Sequence, residues 1–215
     1  MHYAQPTGNA TAFDQLNAIK HAVSNTNVSS LGDLAIRMNE GATDGLRQTQ
    51  WDISLKVDRS LFTYLTDTFY TIHSEIPELA DISPVISIQA ITDGQLNGMQ
   101  KNGGNALGLD PTKGPYFVMN MSAKWSNATD DAAVLRFFPI VIEQVKAEAR
   151  RRGLDNDYIY MNYASQFEDP IASYGAANVE RLLGISRKYD PTGVFQNLHP
   201  GHFKLAQGPP NTNMP

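Results

Sequence analysis

The chain has 215 residues, of which 41% are hydrophobic and 18% are charged, a composition typical of a folded protein with one large or two small domains. Its net charge of -5 argues against nucleic acid as the main partner, because phosphate binding needs concentrated lysine and arginine. No apolar stretch approaches the roughly 20 residues that a membrane-spanning helix needs. The first ten residues are polar, so we expect no secretory signal peptide there, and the sequence leaves the localisation open.

The chain contains no cysteine, which excludes disulfides, thiolate metal sites and cysteine nucleophiles. Two of the five histidines, His199 and His202, lie close together in a Pro-Gly turn that has no carboxylate nearby. Such a pair is a poor metal site, because protein zinc sites use at least three protein ligands. We therefore predict no metal.

The first third of the chain predicts short helices, then a strand and a longer helix. Residues 11–22 and 30–39 each show a helical apolar pattern with Ser or Thr available as a cap. Residues 51–57 alternate apolar and polar side chains, as in a strand with one buried face. From Asp58 the period changes to that of a helix, which Pro77 ends. The predicted buried face of this helix consists of Leu61, Leu65, Phe69 and Ile72.

The middle of the chain predicts two more strands and a long helix. Residues 84–91 and 116–125 read as strands, and residues 101–115 between them form a Gly- and Asn-rich loop, long enough for a lid. A helix is predicted from about Asp130 to Arg152. The predicted buried side chains are Phe117, Met119, Met121, Ala123 and Trp125 in the second strand, and Val134, Phe138, Val141, Val145 and Ala149 in the helix.

Residues 157–163, DYIYMNY, predict a fourth strand whose period of two places Tyr158, Tyr160 and Asn162 on one face. Two phenols and an amide on one surface suit a partly desolvated site that exchanges hydrogen bonds with a ligand. Ordinary packing of tyrosines between strands explains the same pattern, and both interpretations stay open. With a final helix at 175–189, the elements predict an α+β fold, an antiparallel sheet with one face covered by helices.

The C-terminal part of the chain combines three motifs. The Tyr-x-Asn of residues 160–162 is followed by Tyr-Gly-x-x-Asn-x-x-Arg-Leu from Tyr174 and by Lys-Tyr-Asp-Pro-x-x-x-Phe, which ends at Phe195. This combination resembles the C-terminal signature of the berberine bridge enzyme-like, FAD-linked oxidases of the vanillyl-alcohol oxidase superfamily, most closely its fungal branch. The stretches RQTQWDISLKVD (47–58) and KNGGNALGLD (101–110) agree with it as well.

The resemblance implies a domain organisation. Residues 1–155 would be a partial substrate-binding domain, residues 156–205 the family's C-terminal segment, and residues 206–215 a disordered tail. In this family the C-terminal segment packs on an FAD-binding domain that precedes the substrate domain. In a chain without the FAD domain, the surface that this domain covers would be an exposed apolar and aromatic patch, made of Val118, Tyr158, Tyr160, Val194, Phe195 and Leu198.

The resemblance implies an N-terminal FAD domain with the loop that binds the pyrophosphate, and no stretch of this sequence resembles that domain. We therefore expect the chain to be the C-terminal part of a larger enzyme and not to retain FAD by itself. The alternative is a truncated, catalytically silent remnant, or a subunit that docks on a separate polypeptide with the FAD domain.

The resemblance also implies a reaction, in which a small-molecule substrate loses a hydride to FAD from a C–H beside an alcohol, amine or sugar carbon, with oxygen as the final acceptor. Tyr160 occupies the place of a tyrosine proposed as base or base-orienting group, and Asn162 and Tyr158 those of residues near the flavin. Asn120, five residues before Trp125, occupies the place of a catalytic carboxylate or amide. An amide cannot take a proton, so Asn120 is expected to orient the substrate.

Overall fold

The computed structural model describes residues 3, 5–20, 27–40, 44–201, 203–205 and 207–214. The chain divides into two compact units, Met1–Gly45 and Leu46–Pro215. Within the described residues, no helix combines the length and the apolar character that a membrane span requires.

The first unit contains a 3-10 turn (Thr11–Phe13), α1 (Asp14–Asn17) and α2 (Leu31–Glu40). The helix predicted at 11–22 is shorter in the structure, and its positions 21 and 22 lie outside the described residues. The helix predicted at 30–39 is confirmed. It begins where the Ser30 hydroxyl accepts the backbone N–H of Asp33 at 3.1 Å, a typical N-cap contact.

The second unit contains β1 (Arg47–Lys56), α3 (Arg59–Glu75), β2 (Val85–Ile91), α4 (Asp93–Met99), β3 (Tyr116–Trp125), α5 (Asp131–Arg152), α6 (Ala176–Tyr189) and α7 (Val194–Asn197). Among the described residues the strands form one antiparallel sheet in the order β1-β3-β2. The long helices α3 and α5 pack against one another and cover one face of the sheet. The predicted α+β fold is therefore confirmed.

The first core lies between the sheet and these two helices. Its aromatic centre is formed by Phe69, Phe137 and Phe138, whose neighbouring rings lie 5.0 Å apart in edge-to-face contact. The predicted buried residues of α3, β3 and α5 all belong to this core. Asp58 caps α3 by accepting the Leu61 N–H at 2.7 Å, and α5 ends at Gly153, which adopts the left-handed conformation of a helix C-cap.

A second core covers the opposite face of the sheet. Its buried members are Leu96, Leu109, Tyr116, Val118, Tyr158 and Tyr174. Leu96 belongs to α4, a helix that our sequence reading missed although Thr92 and Gln95 form a capping box at its start. Because α4, the following loop and the C-terminal segment cover Val118 and Tyr158, these two side chains are buried. The prediction that they belong to an exposed patch is wrong.

The loop at 101–115 is fastened to the C-terminal segment at Gly108. This glycine has a φ of +74°, and a Cβ atom placed on it would lie 2.5 Å from the carbonyl oxygen of Tyr174. Both features exclude a larger side chain, because positive φ strains an L-residue and the contacted atom belongs to the backbone. The loop therefore packs against the turn that precedes α6.

Gly108→Ala should lower the free energy of unfolding by more than the roughly 1–2 kcal/mol that the left-handed backbone alone costs. The matched control is Gly103→Ala, because Gly103 also has a positive φ, +89°, but its Cβ would meet nothing within 4 Å. Urea unfolding of both variants measures the difference. Equal losses would show that the approach to Tyr174 carries no energetic weight.

The predicted fourth strand at 157–163 is wrong. The backbone N–H groups that would join a ladder donate to side chains instead: Tyr158 to Asn156 Oδ1, Ile159 to Ser173 Oγ and Tyr160 to Asp52 Oδ2. After Tyr160 the chain turns, since its carbonyl accepts the N–H groups of Tyr163 and Ala164. Among the residues that the structure describes, the pairing along the outer edge of β1 is limited to an isolated bridge between Leu55 and Asp155.

Strand β1 was predicted to have one polar, solvent-facing side, and this prediction is also wrong. Asp52 and Ser54 are 1% and 0% exposed, because the C-terminal segment lies across that side of the strand. Val57, predicted on the inner face, lies beyond the strand end and is exposed. The buried carboxyl group of Asp52 therefore becomes a central feature of the site described next.

Candidate functional site

Four polar side chains meet on the side of the sheet that carries the second core. We call Gln89, Tyr160, Asn162 and Tyr163 the tyrosine cluster. Asn162 Nδ2 donates to the Tyr160 hydroxyl at 2.6 Å, and Gln89 Nε2 donates to the Tyr163 hydroxyl at 2.7 Å. The two tyrosine rings are edge to face, with centroids 5.0 Å apart. Gln89 and Asn162 are exposed and both tyrosines are partly buried, so the cluster presents hydrogen-bonding groups at the surface.

Of the four residues predicted for the site, the structure brings two into direct contact and places Tyr158 apart from them. Tyr160 and Asn162 are in direct contact. Tyr158 lies in the second core, where its ring stacks on Tyr174 at 6.0 Å, and its cofactor contact stays a prediction. Tyr163 was assigned to the opposite face, yet the turn at 160–164 brings it beside Tyr160.

Asn120 occupies the centre of the sheet on the same side. It is opposite Asp52 of β1 and opposite Ser87 of β2 in the strand register. Asn120 is 7% exposed, and its Nδ2 is buried without a hydrogen-bond partner among the described residues. A buried amide N–H without a partner is costly, so this group is suited to donate to a bound molecule.

Two acids that were not predicted connect these residues: Asp52, which is buried, and Glu168, which is partly buried. Burial raises the pKa of Asp52 to about 7, although the N–H of Tyr160 opposes the shift. Burial likewise raises the pKa of Glu168 to about 8, and the charge of Asp52 adds to that increase. Asp52 occupies a polar position of an alternating strand, and this pattern gives no sign that the side chain is covered. The sequence around Glu168 contains no motif that would indicate a contact with Asp52.

The site has the chemistry that a flavin ring would need. A flavin carries carbonyl oxygens and nitrogens along the edge of an aromatic plane, so it pairs with N–H and O–H groups that adjoin apolar surface. Asn162, Tyr160 and the unpaired N–H of Asn120 are such groups, and the partly buried rings of Tyr160 and Tyr163 supply apolar surface beside the first two. By contrast, among the described residues no three His, Asp or Glu side chains converge to hold a metal.

The family model described as Berberine and berberine like matches residues 159–200, which include Tyr160, Asn162 and Tyr163. The chain is also 35% identical, over 85% of its length, to the FAD-dependent monooxygenase FUP4 of Fusarium proliferatum. The chain belongs to the berberine bridge enzyme-like, FAD-linked oxidases. A second fungal relative, the FAD-dependent monooxygenase tpcD of Cochliobolus heterostrophus, is 31% identical over 85% of the chain.

The fold has a counterpart among solved structures. The 6-hydroxy-D-nicotine oxidase of Arthrobacter nicotinovorans superposes on 90% of the chain with a TM-score of 0.51 and 15% sequence identity, a likeness that concerns the fold alone. The chain spans 36% of the length of each of the two fungal relatives and 38% of this oxidase. These similarities support an FAD-dependent oxidoreductase function at the level of the family.

Proposed function

We propose that this chain is the C-terminal, substrate-facing part of an FAD-dependent oxidoreductase. The proposed reaction is oxidation of a C–H beside an alcohol, amine or sugar carbon. The observation that carries the proposal is the hydrogen-bonded pair of Tyr160 and Asn162, at the surface and within the segment that the family model matches. When bound, FAD would supply the redox chemistry, by accepting a hydride from the substrate and passing the electrons to oxygen.

Within this proposal Tyr160 exchanges a proton with the substrate. Asn162 donates to the phenol oxygen, so the phenol hydrogen stays free to point toward a ligand. The same donor would stabilise a phenolate once the proton has moved. Asn120 has no proton to exchange, and its buried N–H would instead orient the substrate or the ring. Tyr158 would support the site from the second core.

Exposed apolar residues near the end of the C-terminal segment support the proposal of an FAD-binding partner domain. Val194, Phe195 and Leu198, which were predicted to be exposed, are 46%, 67% and 76% exposed. Tyr189, the last residue of α6, is also exposed. We call these four side chains the apolar surface of the C-terminal segment, since exposed apolar groups commonly mark contact sites. We propose that this surface packs on the FAD domain of the complete enzyme.

The isolated chain should not retain FAD. The proposed contacts, from Tyr160, Asn162 and Asn120, involve only the flavin ring and no other part of FAD. So few hydrogen bonds do not offset the loss of translational and rotational freedom on binding. The measurement is the absorbance at about 450 nm after FAD is added and the protein is desalted. A stoichiometric yellow complex would contradict this prediction.

The proposed function is tested on the product of the complete transcript that encodes these residues. We expect it to purify with FAD and to lose its flavin absorbance when a substrate alcohol, amine or sugar is added without oxygen. Readmission of air should restore the absorbance and produce hydrogen peroxide. A product that binds no flavin, or a flavin that none of these classes of substrate reduces, would refute the proposal in favour of a silent remnant or a docking subunit.

A further inference from the structure

The segment that carries three of the four residues of the tyrosine cluster is held at both ends by acids, the buried Asp52 and the partly buried Glu168. At its start, the backbone N–H of Tyr160 donates to Asp52 Oδ2. At its end, the backbone N–H of Ser165 donates to Glu168 Oε2 at 2.8 Å. The same Oε2 atom accepts the backbone N–H of Asp52 at 3.2 Å, so the two acids are joined to one another through β1.

These contacts lie on an edge of the sheet, where no strand fixes the segment. β1 is the outer strand of the described sheet, and residues 157–163 add no ladder to it. The segment's side chains Tyr160, Met161 and Tyr163 pack on the second core, and Gln89 binds the Tyr163 hydroxyl. Toward β1, the segment is held by carboxyl oxygens and by Phe167, whose ring stacks on Trp51 at 5.7 Å. Asn162 and Tyr163 lie between the two anchored positions, Tyr160 and Ser165.

We propose that Asp52 and Glu168 are positioning residues, which hold the turn from Tyr160 to Ser165 against β1 and thereby orient Tyr160 and Asn162. Asp52 also lies opposite Asn120 in the register of β1 and β3, so one side chain fixes the separation between the two predicted catalytic residues. The link to catalysis rests on the proposed function, whereas the anchoring itself does not.

The anchoring of the turn should depend on pH, because it depends on the charge state of Asp52 and Glu168. The buried Asp52 carboxyl has one oxygen, Oδ1, without a hydrogen-bond partner among the described residues, so its ionised form is poorly compensated. The charged and titratable groups that act on the pair are Lys146 of α5, which favours ionisation of both acids, and Tyr158 of the C-terminal segment, which interacts with Asp52. Ionisation of both acids places two negative charges beside one another, and the anchored turn should then open more often.

Hydrogen exchange in the full chain, without flavin, tests the anchoring. Loss of one buried hydrogen bond should lower the protection of the Tyr160 amide about tenfold in Asp52→Ala. In Asp52→Asn a carbonyl oxygen replaces the acceptor, so protection should be retained. Glu168→Ala and Glu168→Gln should show the same contrast at the Ser165 amide. The amides of Met119 and Met121, in the middle of β3, serve as the internal reference and should keep their protection.

Three outcomes would overturn the proposal. Asp52→Ala could leave the Tyr160 amide fully protected, which would show that the segment needs no anchor. The alanine and asparagine variants could lose protection equally, or the amides of β3 could lose it too, and either result would indicate a general loss of stability. The flavin-containing enzyme is a separate test: lost turnover in Asp52→Ala that Asp52→Asn restores supports the link to catalysis, and unchanged turnover in both refutes that link.

A second measurement tests the interaction of Asp52 with Glu168 and does not require the alanine variants to fold. Carbon NMR of the side-chain carboxyl of Glu168 should show a titration midpoint well above that of an ordinary glutamate. In Asp52→Asn this midpoint should move downward, because the neighbouring negative charge that raises it has been removed. A midpoint that stays in place would show that the two acids do not interact and would overturn the pairing.

Discussion

Replacement of Tyr160 by phenylalanine should lower the turnover of the FAD-containing enzyme by roughly 10²–10⁴-fold, the usual contribution of a general acid or base. The change removes one oxygen atom and leaves the ring, which packs edge to face on Tyr163. It also leaves Asn162 Nδ2 without its acceptor at the surface, where water can replace it at little cost. The loss should therefore appear in the rate of flavin reduction, measured by rapid mixing without oxygen.

Two comparisons separate proton transfer from simple positioning. Asn120→Ala removes an amide that can only orient a ligand, so a loss of about tenfold is expected. Tyr163→Phe removes the same atom from a neighbouring ring, which Gln89 binds through a single hydrogen bond, and the expected loss is again about tenfold. If Tyr160→Phe reduces turnover no more than these two variants, the proton is transferred by another group.

The elements with strong local patterns could be predicted from the sequence. The apolar period of α3 and α5 specified their buried faces, and the alternation in β3 identified the side chains of the first core. These predictions succeed because each pattern is repeated several times within one element and reflects a single large apolar surface. The position of Gly153 after α5 likewise follows from local backbone chemistry.

The site depended on contacts that no local pattern records. DYIYMNY has the alternation of a strand, but Asp52, which is 108 residues away from Tyr160, takes the N–H that a ladder would have used. The strand pattern of β1 gave Asp52 a solvent-facing position, and it is buried because the C-terminal segment covers the strand. Alternation along a strand predicts only that the polar side chains face away from the apolar core. The segment that covers Asp52 is distant in the sequence, so no local pattern shows that this side of β1 is buried.

The stability of the chain should fall as the pH rises from about 5 to about 8, the range that separates ordinary carboxyl pKa values from those of Asp52 and Glu168. The pKa of Asp52 rises from 3.8 to about 7 and that of Glu168 from 4.5 to about 8 on folding. In this range the unfolded chain has already released both protons and the folded chain still holds them. The unfolded state binds fewer protons, so the free energy of unfolding decreases with pH, by on the order of 3 kcal/mol for Asp52 alone between about pH 5 and its pKa of about 7.

Asp52→Asn should flatten this slope and make the protein more stable than the unsubstituted chain at about pH 8. Urea unfolding followed by fluorescence reports on the relevant unit, since both tryptophans, Trp51 and Trp125, lie in the first core. Asp58→Asn is the matched control: hydrogen bonds from Ser60 and Leu61 lower the pKa of that exposed cap, so its titration ends at lower pH and the slope should persist. Stability that is constant or rising across this range would mean that the two acids are ionised in the folded protein, and that water or a rearranged segment solvates them.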